Sequence, residues 1–479
     1  MPAAITAHAV IVAAGRMGSC SCGRRRRAPA AARSSPPGTS SSAARLTVPS
    51  RSSGGARPRS PVSAAAFHDF TPCPPRRPLL FCPACATTRD ALTRGLTPAA
   101  RRAWAMMPRT EDVTVTGSAP TVAVVGLGYG RAHIAGFQAA GCRVVAVCQR
   151  DRQAAQKVAG HHGISAVFDD WRRMLDAARP DIVSIATPPH LHRPIALAAL
   201  ERGAHVLCEK PLAMTAAEGR EMAEAARKAR RVAMVGFNWR FTPAMQAFQA
   251  RVSAGALGRV FHVGGFWSAG AWASESAAGT WRHDRDQAGH GVMGDQGVHL
   301  VDLIRSAFGE FRRVSAQAGI AYADRAAPGA GHGADTEDHC AVLAELESGA
   351  QASFAVTRVA RGVTSEHGLE AFGTRGGVRY RVVRAGAGWW NGELWASEGG
   401  SPLERVEVAP APGESGEGAP ADVIGRVTIA PLVGRLLAAI RDGASPSPSF
   451  DDGVRAQVVL DAVQEAVARR AWIDVPPAP

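Results

Sequence analysis

A short run of β-prone apolar residues that leads directly into a glycine-rich turn constrains this chain more than any other feature. The run covers residues 122–125 of TVAVVGLGYGRAH, and Gly126, Gly128 and Gly130 separate it from the helical pattern IAGFQAAG. Glycine permits a sharp turn and the close approach of a pyrophosphate, and the positive end of the following helix attracts the anion. The order predicts a strand, a turn and a helix that bind the phosphates of a dinucleotide.

The glycine spacing departs from the usual fingerprint for such a site, G-x-G-x-x-G/A. Arg131 occupies the sixth position, and Gly130 stands one place early. Taken alone, the cluster is equally compatible with an ordinary turn between a strand and a helix.

A second apolar run, residues 144–148, supports the dinucleotide interpretation because of where it ends. Gln149, Arg150 and Asp151 follow it, a little over twenty residues after Gly126. An Asp or Glu at this place binds the ribose 2′-hydroxyl of NAD, whereas a neutral residue beside Arg accommodates the 2′-phosphate of NADP. Gln149 and Arg150 favour NADP, and Asp151 leaves NAD open if the strand ends later.

Length and charge divide the chain into an extension and a folded part. A chain of 479 residues is too long for one ordinary core, which predicts two domains with appendages. Residues 1–118 contain 17 Arg and four acidic residues, whereas the remainder contains 38 basic and 37 acidic residues. The folded part therefore shows no general attraction for nucleic acid, and it lacks an uninterrupted apolar run long enough to predict a membrane span.

The first 118 residues are rich in Arg, Ser, Ala and Pro and show no periodic apolar face, which predicts disorder. Three explanations are open. The segment is an organelle transit peptide, or upstream sequence included by an incorrect start assignment before Met106 and Met107, or a contact for nucleic acid or membrane through Arg24 to Arg27. We favour the second, so a cytoplasmic location is expected and an organelle is the alternative.

Cysteine spacing predicts no metal site. The pairs Cys20-x-Cys22 and Cys82-x-x-Cys85 lack a second pair at the spacing of a zinc site. Most of the four later cysteines lie in or beside apolar runs and are expected to be small buried hydrophobic residues.

Strands and helices alternate from residue 119 to residue 240, which predicts a doubly wound parallel sheet. Three strands end in polar motifs, namely Thr187-Pro188-Pro189-His190-Leu191-His192, Glu209-Lys210-Pro211 and Gly236-Phe237-Asn238-Trp239-Arg240. Ligands of such sheets bind beyond the carboxyl ends of the strands, so the motifs are expected to converge there. A single loop histidine is common on surfaces, but Lys210 at the end of a buried strand is hard to explain by structure alone.

These motifs closely resemble those of the Gfo/Idh/MocA family, which is named for glucose-fructose oxidoreductase, inositol dehydrogenase and rhizopine catabolism. The resemblance covers residues 119 to 475, and Glu-Lys-Pro in HVLCEKPLA is its most specific part. Pro189 stands where the family usually has Asn. Together with the glycine turn, the resemblance implies cofactor contacts at Gly126, Leu127, Gly128, Tyr129, Gly130, Gln149, Arg150, Thr187, Pro188, His192, Glu209, Lys210 and Asn238.

The pattern after residue 240 predicts a second domain, residues 241 to 475. Longer alternating runs such as residues 259–266, 340–347 and 351–359 predict a mostly antiparallel sheet in an α+β domain. A helix is predicted over residues 295–307, with Asp295 and His299 on one face. In the alternative interpretation, Asp295 caps the helix and His299 packs in the core. The family's Asp-x-Gly-x-His motif implies instead that both side chains face the nicotinamide.

The resemblance implies an NAD(P)-dependent dehydrogenase that acts on a secondary alcohol of a sugar, an inositol or a related polyol. His299 is the expected general acid/base, Lys210 the group that polarises the reacting oxygen, and Asp295 a residue that orients His299 or binds substrate hydroxyls. Arg282 and His283 are candidates for substrate selection. The alternatives are an NAD-dependent glycosidase and a non-catalytic nucleotide sensor of the same fold. A homo-oligomer through the C-terminal sheet is also expected.

Overall fold

A computed structural model of the chain describes residues 118–411, 414 and 416–477. The disorder predicted for residues 1–118, and the two N-terminal cysteine pairs, lie outside the described residues apart from Ser118. The four described cysteines, Cys142, Cys148, Cys208 and Cys340, are buried and free, which confirms their predicted place in the core.

The first half of the described chain is a six-stranded parallel sheet with helices between its strands. The strands are β1 (Thr121–Val125), β2 (Arg143–Cys148), β3 (Ala166–Phe168), β4 (Ile182–Ile185), β5 (His205–Cys208) and β6 (Ala233–Val235). The helices are α1 (Gly130–Ala139), α2 (Arg152–His161), α3 (Trp171–Ala178), α4 (His192–Glu201) and α5 (Ala216–Ala229). The strand order is β3-β2-β1-β4-β5-β6, so the order reverses between β1 and β4, where such folds open a ligand crevice.

Local sequence accounts for several boundaries in this half. Side chains at the starts of three helices accept backbone N–H bonds: Asp151 before α2, Asp170 before α3 and Thr215 before α5. Val122 to Val125 are fully buried because helices cover both faces of the central strand. The predicted doubly wound sheet is confirmed.

The second half is built on a nine-stranded sheet. Its strands are β7 (Val260–Ala269), β8 (Phe311–Gly319), β9 (His339–Leu346), β10 (Gln351–Thr357), β11 (Ser365–Gly373), β12 (Gly376–Val383), β13 (Glu393–Glu398), β14 (Glu404–Val406) and β15 (Ile473–Asp474). The order is β14-β13-β12-β11-β7-β10-β9-β8-β15, and only the pair β7 and β10 is parallel. The mostly antiparallel sheet expected from the sequence is thus confirmed.

Helices cover one face of this sheet. They are α6 (Pro243–Ser253), α8 (Val298–Phe308) and α11 (Phe450–Arg469), whereas the short helix α7 (Arg285–Ala288) contacts the loop after β4. The predicted helix over residues 295–307 requires a correction, because Met293–Gly297 form a π-helical turn and the α-helix begins at Val298. Asp295 makes no capping bond to the helix. Its side chain is therefore available for contacts with the first half.

A late segment returns to the first half of the fold. It comprises α9 (Pro420–Ile424), a second π-helical turn (Gly425–Ile429) and α10 (Ala430–Asp442). Ile429 and Leu436 join the apolar cluster formed by Val122 and Phe137. The sequence boundary at residue 240 does not separate this segment from the dinucleotide half, because its apolar face completes the cover of the parallel sheet.

The same returning segment is long and apolar enough to cross a membrane by length and composition. In this fold, 56% of its most apolar window is buried inside the protein. Core helices of soluble proteins meet the same criterion, so the segment is weak evidence for a membrane span.

Candidate active site

A cleft of about 890 Å³ lies between the two halves at the carboxyl ends of the parallel strands. One side of the cleft is formed by the glycine-rich turn, the loop after β4 and the loop after β5. The π-helical turn, the start of α8 and the end of β7 form the other side. The motifs selected from the sequence therefore converge on one space.

The three glycines of the first turn have different roles. Gly126 has φ +86°, and a Cβ there would lie 2.4 Å from the main-chain oxygen of Ala186, so only glycine fits. A Cβ on Gly128 would meet no atom within 4 Å, because that residue borders the open cleft. Gly130 begins α1 and packs against Val124. The early third glycine thus supports close contact between helix and strand, as the third glycine of the usual fingerprint does.

The end of β2 carries a neutral amide at the predicted ribose position. Gln149 Oε1 accepts a hydrogen bond of 3.2 Å from the backbone N–H of Leu127. Arg150 is exposed at the cleft. Asp151 also lines the cleft, but its carboxylate accepts from Ala154 N and caps α2. The residue directly after β2 is therefore neutral, and Asp151 is engaged as a helix cap through Oδ1.

Thr187 and Glu209 occupy the floor of the cleft. The hydroxyl of Thr187 is buried without a hydrogen-bond partner among the described residues, which fits a site completed by a ligand. Glu209 is buried, and its Oε1 lies 3.0 Å from His133 Nε2, while His133 Nδ1 lies 2.8 Å from Ser184 Oγ. Glu209 therefore braces the strand end that carries Lys210 as well as lining the cleft.

Lys210 reaches across the cleft to the second half. Its Nζ donates to the main-chain oxygen of Asp295 at 2.7 Å and to Oδ1 at 3.1 Å. Arg282 Nε lies 3.4 Å from the other carboxylate oxygen, Oδ2. Burial acts to raise the pKa of Asp295, but the charges of Arg282 and Lys210 outweigh burial and hold that pKa well below its usual value. Asp295 is thus a carboxylate that holds two cations at the cleft.

His299 is the second residue of α8, four residues after Asp295, and is almost fully buried. Trp267 stacks on its ring with centroids 5.5 Å apart, and Phe237 contacts it edge-on. Nδ1 of His299 is buried without a hydrogen-bond partner among the described residues. Burial, together with the positive charge of Lys210, lowers the pKa of His299 well below its usual value. The ring is neutral at pH 7 and able to accept a proton.

The structure corrects one predicted role of Asp295. The carboxylate pairs with Lys210 and Arg282 and makes no hydrogen bond to His299. The orientation of His299 comes from aromatic packing instead. The alternative prediction, that His299 is only a core residue, does not fit either, because its ring lines the cleft.

Three residues predicted to contact the cofactor do not line the cleft. His192 is fully buried, with Nε2 2.9 Å from the Thr187 main-chain oxygen and Nδ1 3.0 Å from that of Pro211. Asn238 donates to the Tyr129 hydroxyl at 3.1 Å and to Thr428 Oγ1 at 2.8 Å. Gly130 lies beneath the turn. His192, Asn238 and Gly130 therefore support the loops of the cleft from behind. The other residues that were predicted to contact the cofactor do border the cleft: Gly126, Leu127, Gly128, Tyr129, Gln149, Arg150, Thr187, Pro188, Glu209 and Lys210.

The two candidates for substrate selection separate in the structure. Arg282 lines the cleft, and its guanidinium lies 4.3 Å above the ring of Trp281. His283 is fully buried, its Nδ1 accepts from Thr280 N, and it does not border the cleft. His283 therefore shapes the loop rather than contacting a ligand.

Sequence reasoning missed Trp267 and Arg384. Trp267 ends β7 and stacks on both His299 and His367, the latter with centroids 4.1 Å apart. Arg384 follows β12 and lines the cleft near Tyr129. The sequence shows an aromatic or basic residue near the end of each of these strands, which could have indicated a ligand contact. The order of strands in the sheet, which brings these two strands to the cleft, cannot be predicted from the sequence.

Two family models match the chain. The oxidoreductase family model GFO_IDH_MocA, described as an NAD-binding Rossmann fold, matches residues 121–237. The GFO/IDH/MocA C-terminal domain model matches residues 245–379.

Individual relatives agree with the two models. The chain is 31% identical over 353 residues to levoglucosan dehydrogenase of Pseudarthrobacter phenanthrenivorans, with 69% of this chain and 89% of that protein covered. It is 39% identical over 142 residues to inositol 2-dehydrogenase 1 of Saccharopolyspora erythraea, with 29% and 42% covered. A solved levoglucosan dehydrogenase in complex with NADH and L-sorbose matches with a TM-score of 0.67 and 29% identity, with 74% of this chain and 99% of that chain covered. The chain therefore belongs to the Gfo/Idh/MocA family of oxidoreductases with an NAD-binding Rossmann fold.

Proposed function

We propose that this oxidoreductase transfers a hydride between a nicotinamide dinucleotide and a secondary alcohol of a sugar, an inositol or a related polyol. The observation that carries the proposal is the shared cleft of Lys210 and His299, one from each half of the fold. The dehydrogenases among its relatives, named for levoglucosan and inositol, support this substrate class.

The nicotinamide, when bound, supplies the hydride acceptor or donor, and the residues of this chain supply the remaining chemistry. Two of the three N–H donors of Lys210 contact Asp295, so one donor remains for the reacting oxygen. A cation there stabilises negative charge as it develops on that oxygen. Neutral His299 accepts the hydroxyl proton, and the apolar faces of Trp267 and Phe237 hold its ring in place.

For the cofactor, NADP is favoured over NAD. The neutral Gln149, the exposed Arg150 and the capping role of Asp151 support this preference, because the residue directly after β2 carries no negative charge to oppose a 2′-phosphate. The relative solved with NADH makes NAD the alternative to be measured in parallel.

Within the substrate class, acid derivatives of sugars are favoured by Arg384. Its guanidinium lies 4.9 Å above the ring of Trp389, and no carboxylate among the described residues pairs with it. A substrate carboxylate would supply the missing partner in a partly buried setting.

The deciding experiment is a cofactor-reduction screen of the full chain. Neutral sugars, inositols, and uronic or aldonic acids are each offered with NAD and with NADP. If the proposed function is correct, we expect net formation of reduced cofactor with at least one polyol. Cleavage of a glycoside without net reduction supports the glycosidase alternative, and nucleotide binding without either reaction supports a nucleotide sensor.

We also place a homo-oligomer contact on the outer face of the nine-stranded sheet. Leu343 projects from β9 with 57% of its surface exposed, beside a shallow depression of about 860 Å³ lined by Phe266 and Ala355. The same depression is also lined by the charged pair Glu370 and Arg379, and an uncovered face that mixes apolar and charged residues is typical of protein interfaces. Replacing Leu343 by Asp should reduce the mass measured by light scattering to that of the monomer, whereas an unchanged mass would reject this face as the contact.

A further inference from the structure

Two adjacent histidines and an aspartate form a cluster on the outside of the dinucleotide half. His161 is the last residue of α2, His162 follows it, and Asp422 lies in α9 of the returning segment. His161 Nε2 is 3.6 Å from Asp422 Oδ2, and His162 Nε2 is 3.9 Å from Oδ1. One ligand atom from each residue lies within 4.8 Å of the other two. None of the three residues lines the cleft, so the cluster is separate from the proposed active site.

A neighbouring glutamine fixes the protonation pattern of His162. Gln138 Nε2 donates to the main-chain oxygen of His162 at 2.9 Å, which turns the amide oxygen of Gln138 toward His162 Nδ1 at 3.3 Å. The amide oxygen can only accept, so Nδ1 carries the hydrogen. In this tautomer the lone pair of His162 is on Nε2, the ring nitrogen 3.9 Å from Asp422 Oδ1. Its Nε2 lone pair then faces a carboxylate oxygen, an arrangement that a cation between them would stabilise.

The cluster has the chemistry and nearly the dimensions of a transition-metal site. Tetrahedral zinc with bonds of about 2.0–2.2 Å places its ligands about 3.3–3.5 Å apart. The two histidine–aspartate distances must therefore shorten by a few tenths of an ångström, and the ligand atoms as a set, which lie within 4.8 Å of one another, by up to about 1.4 Å. His161 is 67% exposed at its side chain and free to make that adjustment. Imidazoles favour zinc, nickel or copper over magnesium or calcium. The amide of Gln138 fills the supporting role that a hydrogen-bonded partner has behind a ligating histidine.

The surrounding charge does not oppose a cation at this place. Arg426 interacts electrostatically with Asp422, but its guanidinium is paired with Glu414 at 2.9 and 3.0 Å, which offsets its charge. The Asp422 carboxylate is thus left to the two histidines.

We propose that His161, His162 and Asp422 bind a zinc-like divalent cation, which ties the returning segment to the dinucleotide domain. Asp422 lies in the short helix α9, which also contains Ile424, a residue that lines the cleft. The next residue, Gly425, packs on α1. A metal at the cluster would therefore stabilise the part of the fold that closes one side of the cofactor cleft. This inference is independent of the reaction catalysed.

The test uses the tag-free full chain, stripped of metal by a chelator and titrated with Zn²⁺ in a calorimeter, with bound metal counted by elemental analysis. Other cysteines and histidines of the full chain can bind Zn²⁺ weakly, so the readout is a difference between variants. The His161→Ala/Asp422→Asn variant should lose one equivalent of zinc, and Gln138→Ala should weaken that equivalent by about 10- to 100-fold. His332→Ala, which removes an exposed histidine elsewhere, should bind as the original chain does.

Thermal unfolding gives a second readout. Zn²⁺ should raise the Tm of the original chain and of His332→Ala by more than it raises the Tm of the double variant, because only a site in the folded state stabilises it. Mg²⁺ should raise neither. Equal zinc stoichiometry and an equal Tm increase in the original chain and the double variant would overturn the proposal.

Discussion

The ammonium group of Lys210 contacts Asp295 twice, 2.7 Å from its main-chain oxygen and 3.1 Å from Oδ1. Lys210 follows a strand of the Rossmann domain, and Asp295 belongs to the π-helical turn that leads into the helix of His299. This single contact therefore joins the two halves at the place where the motifs predicted to carry the chemistry meet. It also holds the lysine extended into the cleft.

Replacing Lys210 by Met should lower kcat by about 10²- to 10³-fold, because a positioned donor to the developing negative charge is lost. Cofactor affinity, measured by quenching of tryptophan fluorescence, should change little. Lys228→Met is the matched control, since Lys228 is exposed and its ion pair among the described residues is with Glu224, one helical turn away. Turnover of Lys210→Met close to that of the control would reject the role of Lys210.

The pH dependence of kcat/KM should follow His299. Its pKa lies well below the usual value of about 6.5, and the neutral ring is the base. Activity is therefore present above the lowered pKa and is lost as the pH falls through it, so the acid limb should lie below pH 6.5. Because Lys210 contributes to the lowering, Lys210→Met should move the limb of its residual activity toward higher pH. A limb at or above pH 6.5 in the original enzyme would contradict this description of the site.

Cofactor choice can be tested at the end of β2. Gln149→Asp should reduce kcat/KM with NADP relative to NAD by at least about tenfold, since a carboxylate repels the 2′-phosphate and accepts from a ribose hydroxyl. Asp151→Asn retains a good helix cap and should leave the ratio unchanged. A large change in the ratio for Asp151→Asn would instead assign the ribose contact to Asp151.

A buried ion pair connects the Rossmann domain to the helix of His299. Arg240 donates to both carboxylate oxygens of Asp302, at 2.7 and 2.5 Å, and Asp302 lies in α8. Asp302→Asn should cost about 3–5 kcal/mol in the free energy of unfolding, because the buried guanidinium loses the carboxylate that it binds through two nitrogens and keeps only the more distant Asp452, at 3.9 Å, among the described residues. Glu221→Gln, which breaks the exposed pair with Arg193, should cost about 1 kcal/mol or less. Denaturant unfolding of the two variants measures the contrast, and equal losses would disagree with it.

Replacement by alanine should change the stability of the protein in opposite directions at two glycines of the returning segment. A Cβ on Gly425 would lie 2.4 Å from the main-chain oxygen of Ala132, so Gly425→Ala should destabilise the protein by about 1–3 kcal/mol. A Cβ on Gly434 would meet nothing within 4 Å, so Gly434→Ala should stabilise the helix by up to about 1 kcal/mol. The difference in Tm between the variants is the measurement. Gains in both would indicate that the segment does not pack on α1 as described.

The sequence by itself determined the parts of this protein that depend on neighbouring residues. The apolar run before Gly126 could only form a buried strand that ends in a tight turn, and the alternation that follows determined the parallel sheet. The resemblance at Glu209-Lys210-Pro211 and at Asp295 to His299 determined which side chains to examine. These features are local because strand and helix periods and turn residues act within a few positions of each other.

The tertiary structure alone decided which of those side chains reach the cleft. His192 and Asn238 belong to the right motifs but point into the protein, where they hold loops together through backbone and hydroxyl contacts. Asp295 pairs with Lys210 rather than with His299, because a π-helical turn changes the face on which it lies. Trp267 and the segment from Pro420 to Asp442 come to the site through long-range packing. No local pattern encodes such packing, since it depends on the order of strands in a sheet and on the apolar surface that remains to be covered.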